Sequence, residues 1–308
     1  MERHSMTIGT SRRASTSRGT ETPQLFHQAP ARQSMNLELD SKITLNDGHR
    51  LPVLGLGTFR SGDESASDLA FSAAMEAGYR HFDSAAFYDN EVDVGRNIRN
   101  SGIAREELFV TTKLWHTDHG AERSRRAFET SFARLGLDYI DLYLIHWPDG
   151  DRAGSWRTLM ALKDEGVVRS IGVSNYTIDH LEQMLDEFDL RPAVNQVEFH
   201  PFLFQKELLD FCKRKEIVLE AYSPLTKGTR LDHTELKSVA AAADKTVAQV
   251  LIRWALQHGM VVLPKSSNPE RILQNSRVFG WELAPDQMRE LDGLHEDWRC
   301  TWDPTDIS

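Results

Sequence analysis

From residue 53 onward, short apolar runs alternate with longer stretches in which apolar residues return every three or four positions. The runs are VLGLG (53 to 57), HFDSA (81 to 85), LFVTTKL (108 to 114), IDLYLIHW (140 to 147), SIGVSN (170 to 175), AVNQVEF (193 to 199), IVLEAYS (217 to 223) and MVVLPKS (260 to 266). They are too short for helices and carry little alternation, which predicts strands buried on both faces. Between them, SDLAFSAAMEAG, ERSRRAFETSFARLG, SWRTLMALKDEG, IDHLEQMLDEF, QKELLDFCKRKE and KTVAQVLIRWALQHG hold the helical period. Gly78, Gly102, Gly136, Gly166 and Gly259 stand where helices of this kind stop. Eight strand-helix units over ~250 residues predict an α/β fold, a (β/α)8 TIM barrel, rather than an open doubly wound sheet. Ahead of the barrel, LELDSKITL and HRLPVLGLGT flank Asn46-Asp47-Gly48, the turn chemistry of an N-terminal β-hairpin. A compact C-terminal tail ending WDPTDIS is expected over the barrel mouth.

Residues 36 to 308 are thus read as the barrel domain. Residues 1 to 35 differ: Arg3, Arg12, Arg13, Arg18 and Arg32 face only Glu2 and Glu21, among many Ser and Thr and no sustained apolar period. They are expected to be a disordered extension or to lie upstream of a start at Met35.

Composition narrows the function. The chain of 308 residues carries a formal net charge of -10, which argues against nucleic acid or an anionic membrane surface as a general partner. No apolar run approaches the ~20 residues a membrane span requires. Cys212 and Cys300 are the only cysteines, too few for a disulfide framework and suited to a reducing compartment. A monomer in the cytoplasm is the expected working form. Any anionic ligand must be held by a local cationic cluster.

Asp83, Tyr88, Lys113 and His146 fall at the ends of the second, third and fourth predicted strands, and a barrel gathers strand ends on one face. Taken singly, Asp83 is commonly a helix cap, Tyr88 a packed aromatic and His146 a satisfied core histidine. Lys113 is harder to explain so, because a lysine in an apolar strand needs a partner such as Asp83. Together the four suit carbonyl reduction. Tyrosine, with a pKa of ~10, is a poor acid near neutrality, and an adjacent ammonium is expected to lower that value. Aspartate would balance the lysine, and histidine would hold the carbonyl oxygen.

These residues stand in longer motifs: GLGTF (55 to 59), GYRHFDSAAFYDNE (78 to 91), TTKLW (111 to 115), LGLDYIDLYLIHWP (135 to 148), RSIGVSN (169 to 175), VNQVEFHP (194 to 201), AYSPL (221 to 225) and LPKSSNPERILQN (263 to 275). From about residue 38 to its end the chain resembles the aldo-keto reductases. The resemblance implies an NADP-dependent oxidoreductase that reduces aldehydes or ketones on a barrel, with Asp83, Tyr88, Lys113 and His146 as the catalytic set and Tyr88 as proton donor. It implies NADPH as cofactor, bound without the G-x-G-x-x-G fingerprint, which Gly55, Gly57 and Gly62 indeed do not make. Ser174, Asn175 and Gln196 would bond the nicotinamide carboxamide and Tyr222 would stack on the ring. Ser223 and Leu225 would line the pyrophosphate path. Lys265, Ser266, Ser267, Arg271, Gln274 and Asn275 would hold the adenosine end, with Gln274 standing where many members have glutamate. Lys265 and Arg271 suit a 2'-phosphate.

For the substrate, Phe59, Phe87, Trp115 and Trp147 follow the first four strands, and Trp298 and Trp302 in the tail are placed to close over them. The short connection WPDGDRAGS and Phe59 in place of the tryptophan usual in vertebrate members suggest an open pocket for small polar carbonyls, 2-oxoaldehydes or keto-sugars. The competing reading is a redox-sensing barrel that binds NADPH and turns over slowly. No metal is expected: His116 and His119 share a polar loop, where histidines usually face solvent.

Overall fold

The computed structural model describes residues 37 to 307 apart from Ser61 and Asp63; the expected extension over residues 1 to 35 lies outside the described residues. The hairpin forms from β1 (Lys42–Thr44) and β2 (Arg50–Pro52), antiparallel with Ile43 opposite Leu51. Gly48 takes φ +88° in its turn, where a side chain would be strained. Lys163 Nζ reaches Asp47 Oδ2 at 2.7 Å and ties that turn to the helix Arg152–Asp164.

Eight parallel strands follow: β3 (Leu56–Gly57), β4 (His81–Asp83), β5 (Phe109–Leu114), β6 (Ile140–Ile145), β7 (Val168–Ser174), β8 (Val194–Glu198), β9 (Val218–Tyr222) and β10 (Val261–Leu263). Each pairs with its neighbour in chain order. The ends meet through a parallel bridge between Leu54 and Val262, with Gly55 N to Val262 O at 3.0 Å and Gly57 N to Pro264 O at 3.1 Å. Gly55 is required at this seam, since a Cβ there would come within 2.6 Å of His81 Nδ1. The fold is the predicted barrel. Its strands stop short of several predicted ends because the backbone leaves the extended region there, at Asn175 (φ 63°) and Ser223 (φ 49°).

The apolar residues divide by face, as the pleat of each strand demands. Leu142 and Leu144 of β6 join Leu45 and Leu51 of the hairpin, Phe109, Val194 and Val261 in a small cluster that fills the barrel beneath the site. Tyr143 and Ile145 pack outward in the large cluster between strands and helices, which includes the fully buried Trp156 and Trp254. All five glycines expected at helix ends have positive φ, from 58° to 93°. Among the described residues, no helix is long and apolar enough to cross a membrane.

Candidate active site

Asp83 ends β4, Lys113 sits one residue from the end of β5, and His146 directly follows β6. Tyr88 closes the 3-10 turn Ala86–Tyr88, whose next residue, Asp89, has φ 51°. Lys113 is fully buried and directs its three hydrogens at Asp83 Oδ1 (2.7 Å), Asp83 Oδ2 (2.8 Å) and the Ser84 carbonyl (2.8 Å). A buried ammonium so paired is tolerated where a lone one would not be. Its nitrogen lies 5.1 Å from the centroid of the Tyr88 ring, and the Tyr88 and His146 rings are 5.8 Å apart at 76°. The four residues therefore converge as expected.

Their protonation differs from the expectation in one respect. Burial, then Asp83 and then Glu220, push the Tyr88 phenol well above the ordinary tyrosine value rather than below it. Lys113 is committed to Asp83 and Ser84, so desolvation prevails at the phenol. Burial, with Lys113 and the histidines His116 and His119 adding to it, holds His146 well below the usual histidine range, so its ring is neutral at pH 7. Its carbonyl accepts from Asn175 Nδ2 at 2.9 Å, which fixes the backbone beside the ring.

Next to this group, Asn175 Nδ2 also donates to Ser174 Oγ at 3.1 Å, and Ser174 Oγ donates to the Gln196 carbonyl at 2.8 Å. The Tyr222 hydroxyl lies 2.7 Å from Asn175 Oδ1. Gln196 Nε2 donates to Asp83 Oδ2 at 2.8 Å and to Glu220 Oε2 at 2.6 Å, which leaves its Oε1 as the acceptor. Ser174, Asn175, Gln196 and Tyr222 thus form one network with Asp83. Ser223, at φ 49°, and the half-buried Leu225 carry the chain onward from Tyr222.

Lys265 adjoins the same rim: a Cβ on Gly57 would lie 3.6 Å from the Lys265 Cβ, and Gly57 is the register partner of Asp83. Ser266, Ser267 and Asn268 then lead into the helix Pro269–Ser276, capped by Asn268 Oδ1 on the Arg271 amide at 3.0 Å. Burial lowers the Lys265 pKa, and neither Lys265 nor Arg271 has a carboxylate partner among the described residues. Two unpaired cations at a capped helix start fit a phosphate, so the residues present fit the phosphorylated end of NADPH. Gln274 is exposed and Asn275 buried on that helix.

Phe59, Phe87, Trp115, Trp147 and Trp302 form one aromatic wall. Phe59 lies 4.9 Å from Tyr88, Phe87 stacks on Trp115 at 4.0 Å, Trp115 is 5.1 Å from His146, and Trp302 is 5.6 Å from Trp147. Trp302 is 61% exposed and Phe87 45%, so the wall stands open to solvent. Trp298 is not part of it; the structure packs that ring on Arg230, His200 and Phe202 instead.

Nothing in the sequence marks Glu198 as an anchor. Its carboxylate accepts from the Cys300 amide at 2.6 Å, the Thr301 amide at 3.0 Å, the Thr301 hydroxyl and His200 Nε2 at 2.9 Å. Burial works to raise its pKa, but these donors prevail and hold it at about 2. Ligand atoms of Glu198, His200 and Cys300 lie within 4.8 Å of one another, yet the carboxylate is already satisfied as the latch of the tail. Glu198→Ala is expected to speed hydrogen exchange at the Cys300 and Thr301 amides by about tenfold or more, each having lost a bond to a charged acceptor. Mass spectrometry of the C-terminal peptide checks this, and unchanged protection would refute the latch. His116 and His119 bond to Asp149, through its side chain and its carbonyl respectively.

Comparison with known proteins places most of the chain. Residues 53–296 match the Aldo/keto reductase family. The chain is 46% identical over 274 residues to a glyoxal reductase of Bacillus subtilis, covering 89% of this chain and 99% of that one. Among solved structures, it is similar to an aldo-keto reductase enzyme from a Medee basin deep-sea metagenome library, with TM-score 0.83, 42% identity and 87% and 100% of the two chains covered. It is also similar to a Bombyx mori aldo-keto reductase in complex with NADP, with TM-score 0.81, 34% identity and 86% and 96% covered. A barrel of eight parallel strands carrying these motifs in order leaves one assignment: the chain belongs to the aldo/keto reductase family, whose members are NADP-dependent oxidoreductases acting on carbonyl groups.

Proposed function

We propose that this protein reduces small polar carbonyls, 2-oxoaldehydes before keto-sugars, taking the proton from Tyr88. The observation that carries the reading is the buried Asp83/Lys113 pair set against the Tyr88 ring, with the His146 ring 5.8 Å from the same tyrosine. NADPH, when bound, supplies the hydride. Tyr88 stays protonated at neutral pH and so holds the proton that the carbonyl oxygen needs. His146, neutral and buried, offers an N–H rather than a charge to that oxygen. Asn175 and Gln196 have their amide nitrogens engaged within the protein and keep their oxygens in fixed orientation beside the tetrad. The open aromatic wall admits a small substrate without enclosing a large one.

The glyoxal reductase among the relatives supports a dicarbonyl as substrate. A screen of NADPH oxidation with glyoxal, keto-sugars, simple aldehydes and bulky cyclic ketones tests this, with the highest kcat/KM expected for the 2-oxoaldehydes. Higher kcat/KM for the bulky ketones would sink it. Lys265→Ala should raise KM for NADPH by about tenfold or more while leaving that for NADH nearly unchanged, a charge-assisted bond contributing roughly 1.5 to 3 kcal/mol. Parallel losses with both cofactors would remove Lys265 from the 2'-phosphate site.

A further inference from the structure

One buried acid beside the tetrad has no part in the proton transfer just described. Glu220, in the middle of β9, is fully buried and opposite Gln196 of β8 and Val261 of β10. Its Oε2 accepts from Gln196 Nε2, the same nitrogen that donates to Asp83. Lys113 has no hydrogen left for it, all three being directed at Asp83 and Ser84. Glu220 Oε1 has no hydrogen-bond partner, the nearest cationic candidate being His81 Nε2 at 3.7 Å. Two carboxylates are therefore joined through one amide, with a single ammonium bonded to only one of them.

Such a pair cannot hold two negative charges cheaply in a dry interior. Burial first, and the charge of Asp83 second, push Glu220 up to about 8, so it is neutral at pH 7. Its ionisation is felt at the reacting group, since Glu220 is among the charges that raise the Tyr88 phenol. The other groups around it are accounted for. On β4, His81 is driven down to about 3, by burial and then by Lys113, and stays neutral. On β8, Glu198 is held ionised by the tail. On β5, Lys113 is paired with Asp83. Tyr222 is raised by burial and does not ionise near neutrality. β10 supplies only Val261, Val262 and Leu263.

We propose that Glu220 is a positioning residue of the proton-delivery group: while neutral it leaves the Asp83/Lys113 pair balanced beneath Tyr88, and on ionising it adds a negative charge that weakens the phenol as a donor. The inference rests on Tyr88 being the proton donor. The wild-type enzyme should accordingly lose carbonyl-reductase kcat through an inflection near pH 8. The fall should be about tenfold, equivalent to ~1.4 kcal/mol of barrier.

The test compares each protein with itself at pH 6.5 and pH 9. In Glu220→Gln, which keeps the shape and cannot ionise, that ratio should flatten and the inflection disappear. An inflection unchanged from wild type overturns the proposal. Carbon-13 NMR of the wild-type glutamate carboxyls reads the titration without any variant, and a Glu220 already ionised at pH 6 overturns it equally. Tyr88→Phe is assayed alongside: if it turns over like wild type, the donor assignment has failed, whereas an inactive Tyr88→Phe with an unaltered Glu220→Gln profile means that only the role of Glu220 has failed.

Discussion

Tyr88→Phe is expected to lower kcat for aldehyde reduction by about 10²- to 10⁴-fold, the range a positioned acid contributes. NADPH should bind to it as to the wild type. The argument is that the lost atom has no structural duty. Burial and the charges of Asp83 and Glu220 are what act on the Tyr88 phenol, with no hydrogen bond from a described residue among them, so phenylalanine leaves no buried partner stranded. The ring keeps its contacts with Phe59 at 4.9 Å and with Lys113 at 5.1 Å. Folding should therefore be unaffected, and the loss should appear in kcat far more than in KM. Steady-state NADPH oxidation with glyoxal, together with a fluorescence titration of NADPH, separates the two quantities. Turnover comparable to wild type would remove Tyr88 from the mechanism.

The barrel was legible because a buried parallel sheet writes itself as continuous apolar runs and its helices as a 3.6-residue period. The strand seam at Gly55 and the exact ends at Asn175 and Ser223 were not, since they depend on contacts with His81 and on local backbone geometry. Lys113 was conspicuous as a charge inside VTTKL, and the partner it demanded, Asp83, is the one it has. The same reasoning applied to IVLEAYS would have flagged Glu220, a carboxylate equally out of place among apolar neighbours. Its bridge to Asp83 through Gln196 spans residues far apart in sequence and appears only in the fold. The direction of the Tyr88 shift is hidden for the same reason: the sequence shows the lysine but neither the depth of burial nor the second acid. Trp298 and Trp302 are four positions apart in an irregular tail, and nothing local says which one faces the mouth. Glu198 decides it by fixing residues 300 and 301 from a strand about a hundred residues earlier.

Asp83→Ala should be the most destabilising change in the site, costing about 3 to 5 kcal/mol, because it leaves the Lys113 ammonium buried without its counter-ion. For a domain of this size that corresponds to a fall in Tm of roughly 10 °C. Gln196 would lose one acceptor as well, though Glu220 would still hold its amide nitrogen. Adding Lys113→Met should restore more than half of the lost stability, since an unbranched apolar chain fills the same space and carries no charge to desolvate. The recovery stays partial because the Ser84 carbonyl no longer receives its hydrogen bond from Lys113. Neither variant should regain carbonyl turnover, for the ion pair is absent from beneath Tyr88 in both. Thermal unfolding of the wild type, both single variants and the double variant closes the cycle, and the coupling it yields should be several kcal/mol in favour of the pair. Additive losses would mean that the pair does not hold the barrel mouth together, and a double variant that recovered turnover would mean that the chemistry does not need it.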